Sequence, residues 1–429
     1  MNLTNECLPT LIKNISLLSK KTILSNRDRN LILKELIEEI RNRSDQIIKV
    51  SEEDFEIAKQ HISDESLLNR LKFDKYKIDS CIKGLNQLID LEDPIFQKEF
   101  VRELDNDLTL IKQSYPIGVI GVILEARPDA FLQIVGIGIK TNNFLIVKPG
   151  MEAQRTCSFL IMMVHQILSR KKLPLEIITL LHARSQIDQL LKEDRYIDLI
   201  IPRGSKKKVD YIQNNTKIPV MGHADGVCHI YVDEMNNIRQ SLNVIMDSKI
   251  QYPAACNAVE TVLINKSIAS KFIPQLVSQL DQSQVNIYAD QEVCKILNRE
   301  LPRPESWSIE YGDKIINLKI VENVNEAINH INTYGSHHTD SIITQNSINA
   351  ETFLCQVDSA NVYHNCSTRF ADGYRYGFGA EVGISTNKIL PRGPVAIEGL
   401  TTYKFHLIGN LHIVDDYIKG FKKFNHSPL

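Results

Sequence analysis

From Tyr115 onward, short apolar runs alternate with amphipathic ones: Ile117 to Leu124, Ala130 to Lys140, Phe144 to Lys148, then Gln154 to Leu168. A strand that is apolar at every position is buried on both faces. Strand, helix, strand, helix in this form therefore requires a parallel sheet covered by helices. Ile177 to Leu181, Ile197 to Ile201 and Val227 to Val232 continue the series, each bounded by Pro, Gly or charged residues. A second series begins near Asn236, with strands expected at Val259 to Ile264, Val285 to Tyr288, Ile315 to Val321, Ser341 to Thr344 and Ala360 to Tyr363. The chain has 429 residues, more than one core usually supports, so two α/β domains are expected. Ahead of them lies a helical lead-in. Leu33, Leu36, Ile37 and Ile40 share one face, and Ser25 to Asp28 and Ser51 to Asp54 have the capping-box pattern. Pro302 to Ser308, with the sole tryptophan Trp307, reads as a surface connection, and the tail after Lys419 as a frayed end.

The formal charge is -2, so nothing draws the whole molecule to nucleic acid or an anionic membrane. Met1 to Lys13 lacks the basic and apolar regions of an export signal. The longest apolar runs are broken by glycines and fall short of the roughly 20 residues a bilayer span needs. A cytoplasmic protein is expected. The cysteines, at 7, 81, 157, 228, 256, 294, 355 and 366, have no CxxC spacing, which argues against a disulfide framework or a structural zinc. Most are expected to be buried thiols. No metal is expected at His337 and His338 or at Cys228 and His229, where nothing supplies further converging ligands; His229 fits a core position within a strand.

Chemistry concentrates in Asp247-Ser-Lys-Ile-Gln-Tyr-Pro-Ala-Ala-Cys-Asn-Ala-Val-Glu260. Here Cys256 sits among small residues, after a proline and just before an apolar strand, as a thiol exposed on a loop above a sheet would. Taken alone, a cysteine in such a loop is more often an inert core thiol.

Its company carries a resemblance. Pro-Ile-Gly-Val-Ile-Gly-Val-Ile (116 to 123), Glu-Ala-Arg-Pro (125 to 128), Ile-Pro-Arg-Gly (201 to 204), Val-Cys-His-Ile-Tyr-Val-Asp (227 to 233), Cys-Asn-Ala-Val-Glu-Thr (256 to 261), Ser-Thr-Arg-Phe (367 to 370) and Gly-Ala-Glu-Val (379 to 382) occur in order. Together they resemble the γ-glutamyl phosphate reductase family of the aldehyde dehydrogenase superfamily, from about Ile40 to Lys404. Met-Gly-His-Ala-Asp-Gly (221 to 226) and Tyr-Pro-Ala-Ala-Cys-Asn are similar to the reductase half of bifunctional pyrroline-5-carboxylate synthases; no room for a kinase half remains before Asn26.

The resemblance implies an aldehyde-dehydrogenase-like α/β fold. A Rossmann-type NADPH-binding domain with its helical lead-in would span 1–102 and 117–235, a catalytic domain 236–385, and oligomerisation segments 103–116 and 400–429. It implies NADPH-dependent reduction of L-glutamyl 5-phosphate to L-glutamate 5-semialdehyde and phosphate, the second step of proline biosynthesis from glutamate. Cys256 would form a thioester, with Asn257 beside it in the catalytic motif. The Cys256 backbone N–H and a side chain near the end of the first strand would hold the oxyanion. Hydrolytic members carry a Glu before a Gly-Gly pair. Val220 to Asp225 has none, leaving only His223 and Asp225 as substitutes, which favours acyl phosphate reduction over oxidation to a free acid.

No G-x-G-x-x-G marks the cofactor site, and Gly118 and Gly121 serve equally well to pack a buried strand. By resemblance, Lys148 and Pro149, with Glu152, meet the adenine ribose or a 2'-phosphate. Gly204 and Ser205 open a helix beside the pyrophosphate, where N–H groups favour anions. Glu310 holds the nicotinamide ribose. The run Lys206 to Lys208 is either a solvated helix face or an attraction for the 2'-phosphate. For the substrate's phosphate and α-carboxylate, Arg127 and Arg369 are the expected cations, with Ser367 and Thr368 as hydroxyl donors. Asp129 stands where the family usually has Asn. The implied assembly is a homodimer or homotetramer, with glutamate 5-kinase as an expected supplier. The rivals are another NAD(P)-dependent aldehyde dehydrogenase or acyl-CoA reductase of the superfamily, and an inactive scaffold paralogue.

Overall fold

A computed structural model describes residues 8–62, 65–222, 225–233, 237–389 and 391–428. The lead-in is helical: α1 (Leu8–Ser19), α2 (Asn26–Asn42), α3 (Ser44–Lys59), α4 (Glu65–Leu71) and α5 (Lys75–Asp90). Ser25 caps α2 by accepting the Asp28 N–H, as its sequence pattern predicts. Ser51 and Asp54 start no helix. They lie inside α3, where Ser51 Oγ accepts the Phe73 N–H and Asp54 accepts the Thr156 N–H and hydroxyl. The same short polar side chains that cap helices have been used for tertiary contacts instead.

After the hairpin β1 (Lys98–Asp105) and β2 (Leu108–Pro116) come β3 (Val119–Leu124), α6 (Pro128–Lys140), β4 (Phe144–Lys148), α7 (Gln154–Arg170), β5 (Ile178–Leu180), α8 (Gln186–Leu190), β6 (Leu199–Arg203) and α9 (Lys206–Asn214). The strands form a parallel sheet in the order β5-β4-β3-β6. All residues of β3 and β4 are buried, as two-sided coverage demands. α6 starts on Pro128, whose missing N–H costs nothing in the first turn. Its Phe131, Val135 and Ile139 join the core under the sheet.

The second half runs β7 (Cys228–Val232), α10 (Ile238–Ile250), β8 (Val259–Asn265), α11 (Lys266–Gln282), β9 (Asn286–Ala289), α12 (Gln291–Leu297), β10 (Ile315–Val321), α13 (Val324–Tyr334), β11 (Thr339–Ile343), α14 (Ser347–Gln356) and β12 (Asn361–His364). A six-stranded parallel sheet results, ordered β12-β11-β7-β8-β10-β9. One core, with Ile245, Phe272 and Leu276 from α10 and α11, covers one face; another, with Ile328, Ile331 and Phe353 from α13 and α14, covers the other. The strand at 227–232, which its place in the sequence groups with the first sheet, is β7 and pairs with β8 and β11. β7, expected in the cofactor domain that was to end at 235, thus belongs to the second sheet.

The chain closes with β13 (Gly383–Ser385), β14 (Gly393–Val395), β15 (Thr401–Ile408), α15 (Val414–Ile418) and β16 (Ser427–Pro428). β15-β2-β1-β16 make an antiparallel sheet, so the tail is not frayed: Ser427 and Pro428 pair with Glu103 and Arg102. Trp307 lies half-buried edge-on to His330. Among the seven described cysteines, all free thiols, only Cys81, Cys157 and Cys228 are buried; the expectation that most would be is wrong. Loop and helix surfaces, which the residue type alone does not reveal, hold the rest. Among the described residues, no helix is long and apolar enough to cross a membrane.

Candidate active site

The loop 251–258 joins α10 to β8 in two tight turns, with Ala255 N–H bonding to Tyr252 O and Ala258 N–H to Ala255 O. Cys256 sits half-buried on it. Its peptide is clamped from behind. The Cys228 thiol donates to the Cys256 carbonyl at 3.2 Å, and a Cβ added at Gly226 would fall 2.0 Å from that oxygen. Burial raises the Cys228 thiol well above its usual pKa, so it stays a neutral S–H donor. Asn257 Nδ2 donates to Ala371 O at 2.7 Å, which ties the loop to the segment after Ser367 to Arg369, while its Oδ1 is buried without a partner. Asn257 therefore acts through loop placement.

Beneath the loop, Lys249 and Glu260 form a fully buried ion pair at 2.8 Å. Burial pushes the Glu260 carboxyl up, and Lys249 opposes the shift. Glu310 lies within electrostatic reach of both Glu260 and Cys228.

Charged groups converge on the thiol. Cys256 acts electrostatically on Arg203, Arg369 and Glu381. Arg369 is buried, donates from Nε to Gln251 Oε1 at 2.9 Å and lies over the Tyr252 ring. Burial, then Arg375, push its guanidinium below the usual value. Ser367 Oγ accepts from the Ser248 hydroxyl and the Arg369 N–H, and Thr368 Oγ1 is buried without a partner. Arg127 immediately precedes α6, makes no side-chain capping bond there, and is the first charge acting on Arg203. Burial and Asp372 raise the Glu381 carboxyl to about 7, against the Gly373 N–H and Arg203.

Across the sheet edge, the ends of β3, β4 and β6 form the crevice in which open α/β sheets bind ligands. Lys148 turns back on the Pro149 carbonyl; burial, then Lys208, hold its ammonium below the usual value, with Glu152 opposing. Gly204 and Ser205 open α9, and the Ser205 N–H is already taken: Glu125 Oε2 accepts it at 2.6 Å, and Oε1 pairs with Lys208 at 3.3 Å. A Cβ at Gly204 would fall 2.4 Å from that carboxylate. A protein anion thus stands where a cofactor phosphate was expected, and a helix N-terminus suits either. Lys148 and Lys208 lie near enough for one to act on the other, and such a pair of cations suits a dinucleotide phosphate.

Sequence reasoning assigned no role to Glu125, Arg203, Cys228 or Glu381, although all lie in the motifs quoted above. For Glu125 and Arg203 the available signal was a charged residue at the end of an apolar strand. His223 lies outside the described residues. His229 is buried and bonded to Asp340, as its strand position suggests.

The sequence pattern of the aldehyde dehydrogenase family matches residues 22–294. A gamma-glutamyl phosphate reductase of Brachyspira hyodysenteriae is 47% identical over 426 residues, 98% of this chain and 99% of that protein. The crystal structure of gamma-glutamyl phosphate reductase from Thermotoga maritima aligns with a TM-score of 0.87 at 32% identity, over 95% of this chain and 98% of that one. Glyceraldehyde-3-phosphate dehydrogenase of Methanocaldococcus jannaschii, solved with NADP, aligns at a TM-score of 0.70 and 16% identity over 94% of each chain, a likeness of fold.

Proposed function

Because the chain belongs to the aldehyde dehydrogenase family and, within it, to the gamma-glutamyl phosphate reductases, an oxidoreductase group of proline biosynthesis, we propose that Cys256 carries its reaction as a thioester and that NADPH is the preferred reductant. The enzyme reduces L-glutamyl 5-phosphate to L-glutamate 5-semialdehyde. The Cys256 thiolate adds to the acyl carbon, the C–S bond forms, and the C–O bond to phosphate breaks with the electron pair leaving on phosphate. When bound, the NAD(P) cofactor supplies the hydride that turns the thioester into the aldehyde.

The observation that carries this reading is the half-buried Cys256 on a clamped loop, with Arg203 and Arg369 acting on it. Nearby guanidiniums favour thiolate over thiol. The Cys256 backbone N–H faces the developing oxyanion, and Asn257 holds the turn that aims it. Arg127 and Arg369 take the substrate's anionic groups, and the unpartnered Thr368 hydroxyl and the Ser367 hydroxyl add donors. Lys148, Pro149, Gly204, Ser205 and Glu310 hold the cofactor, and the two lysines at 148 and 208 support a preference for the 2'-phosphate.

The β3-to-β6 sheet serves as the cofactor domain and the six-stranded sheet as the catalytic one. Segments 103–116 and 400–429 serve as oligomerisation elements, supported by exposed Tyr403, Phe405 and Leu407 on edge strand β15; a homodimer or homotetramer follows. Seven free thiols suit a reducing cytoplasm, and the lability of an acyl phosphate favours handover from glutamate 5-kinase.

The test runs the reaction backwards, with pyrroline-5-carboxylate, inorganic phosphate and NADP+, following absorbance of the reduced cofactor. Turnover should require phosphate and vanish in Cys256→Ala at unchanged melting temperature. Phosphate-independent turnover would overturn the substrate, and an active Cys256→Ala would overturn the nucleophile.

A further inference from the structure

Arg203 ends β6 within electrostatic reach of Cys256, yet among the described residues no carboxylate receives its guanidinium. Among the described residues its side chain makes no hydrogen bond or ion pair, and its Nε is buried with no acceptor. A guanidinium has five N–H donors in a fixed fork and stays charged in a protein, so a half-buried one whose Nε is sealed off without an acceptor is an unmet demand for an anion. The demand is not met by accident of a mobile side chain. Gly383, at φ +149 in the β13–β14 ribbon, lies flat against it: an added Cβ there would fall 2.2 Å from Nη1 and 2.4 Å from Cζ. Backbone, rather than a partner charge, keeps the fork in place.

The charges in reach act on the fork with both signs. Arg127 repels Arg203, while Cys256, Glu381 and Asp129 attract it. Glu381, the carboxyl acting most strongly on it, is raised to about 7 by its own burial and by Asp372, so it opposes an anion less than an ordinary carboxylate would. Arg369 differs: its Nε already serves Gln251 and its face lies over Tyr252.

We infer that Arg203 binds the phosphate group of the acyl phosphate, and the phosphate ion that forms from it, beside the Cys256 sulfur. This rests on the thioester reading above. The phosphate oxygen is bonded directly to the carbon that Cys256 attacks, so its binding group must stand next to the thiol, whereas the α-carboxylate lies at the other end of the side chain. A fork placed here also stabilises the leaving phosphate as the C–O bond breaks. In the reverse direction it holds inorganic phosphate while one of its oxygens attacks the thioester carbon, the C–O bond forms and the thiolate departs.

The reverse assay separates the three ligands. In Arg203→Lys and Arg203→Gln, the KM for inorganic phosphate should rise about 10- to 100-fold, the factor equivalent to a charge-assisted, bidentate contact, and least in the lysine variant. The KM values for pyrroline-5-carboxylate and NADP+ should stay within about twofold, a split that a general loss of structure does not produce. Melting curves and NADP+ titration confirm folding, and the lysine variant keeps the charge if glutamine destabilises the chain. As a second readout, inorganic phosphate should slow alkylation of Cys256 by iodoacetamide in the wild type and fail to do so in Arg203→Lys. A raised KM for pyrroline-5-carboxylate with phosphate unaffected would assign Arg203 to the α-carboxylate and overturn the inference, as would three unchanged constants. If the wild type turns over without phosphate, the thioester reading of an acyl phosphate falls first, and this inference with it.

Discussion

Gly226→Ala tests whether the clamp on Cys256 sets the rate. The new methyl carbon would sit 2.0 Å from the Cys256 carbonyl oxygen and 2.6 Å from both its carbonyl carbon and Cα, all backbone atoms. Ordinary contact begins at 3.4 Å, so the two segments must part by 3.4 − 2.0 = 1.4 Å at the oxygen. The loop has little room to retreat. Its carbonyl is held by Cys228 at 3.2 Å, its Asn257 by Ala371 at 2.7 Å, and its turn by the Ala258 to Ala255 bond at 2.9 Å. A displacement of about 1 Å at a nucleophile costs roughly 100-fold in rate. Overpacking by one methyl should cost about 1–3 kcal/mol of stability, a melting shift of a few degrees. The expected variant is thus folded but nearly inactive, with kcat in the reverse assay down about 100-fold and the KM for NADP+ little changed. Alkylation of Cys256 should slow in parallel. A folded Gly226→Ala enzyme with kcat within about threefold of the wild type would show that the loop adapts freely and that the clamp does not position the thiol.

Glu125→Gln removes the carboxylate from the start of α9 and frees Lys208, so NADPH should bind about two- to fivefold more tightly, from roughly 0.3–1 kcal/mol at a helix terminus. Fluorescence titration that finds weaker or equal binding refutes a cofactor phosphate at that spot. Glu381 has a folded pKa raised to about 7, so its contribution to stability is full below the ordinary glutamate range and is lost as pH rises through about 7. The charge it then acquires opposes ionisation of Cys256. Glu381→Gln should erase a step near pH 7 in the alkylation profile of Cys256 and flatten stability between pH 5 and 8; an unchanged profile sinks the assignment. Lys249→Met leaves Glu260 buried without its partner and should destabilise by about 3–5 kcal/mol at pH 8, and by less at pH 5, where the carboxyl takes up a proton. Equal losses at both pH values in denaturant melts argue against a charged pair.

How much of this was legible beforehand differs between scaffold and site. Apolar runs and amphipathic stretches are local signals, so β3, α6, β4 and α7 were readable with ends shifted by a few residues at most. Cys256 was readable too, because small residues, a proline and a following apolar strand put a thiol on a loop whatever surrounds it. Pairing is non-local, and a strand's own residues do not say which neighbour it takes. β7 therefore needed the tertiary structure to place it between β8 and β11, and β16 to show that the tail is tied down. Side-chain partnership is equally non-local. Ser51 and Asp54 read as a helix start and turned out to hold Phe73 and Thr156. Ser205 read as an open anion site and turned out to hold Glu125, 80 positions away in the chain. Arg203 was one cation among many until folding set its fork against Gly383 and left its Nε buried without an acceptor. Hydrophobic periodicity determines which segments are strands and helices, because burial is a property of each residue's own face. Which charges end up paired is decided only when distant segments meet.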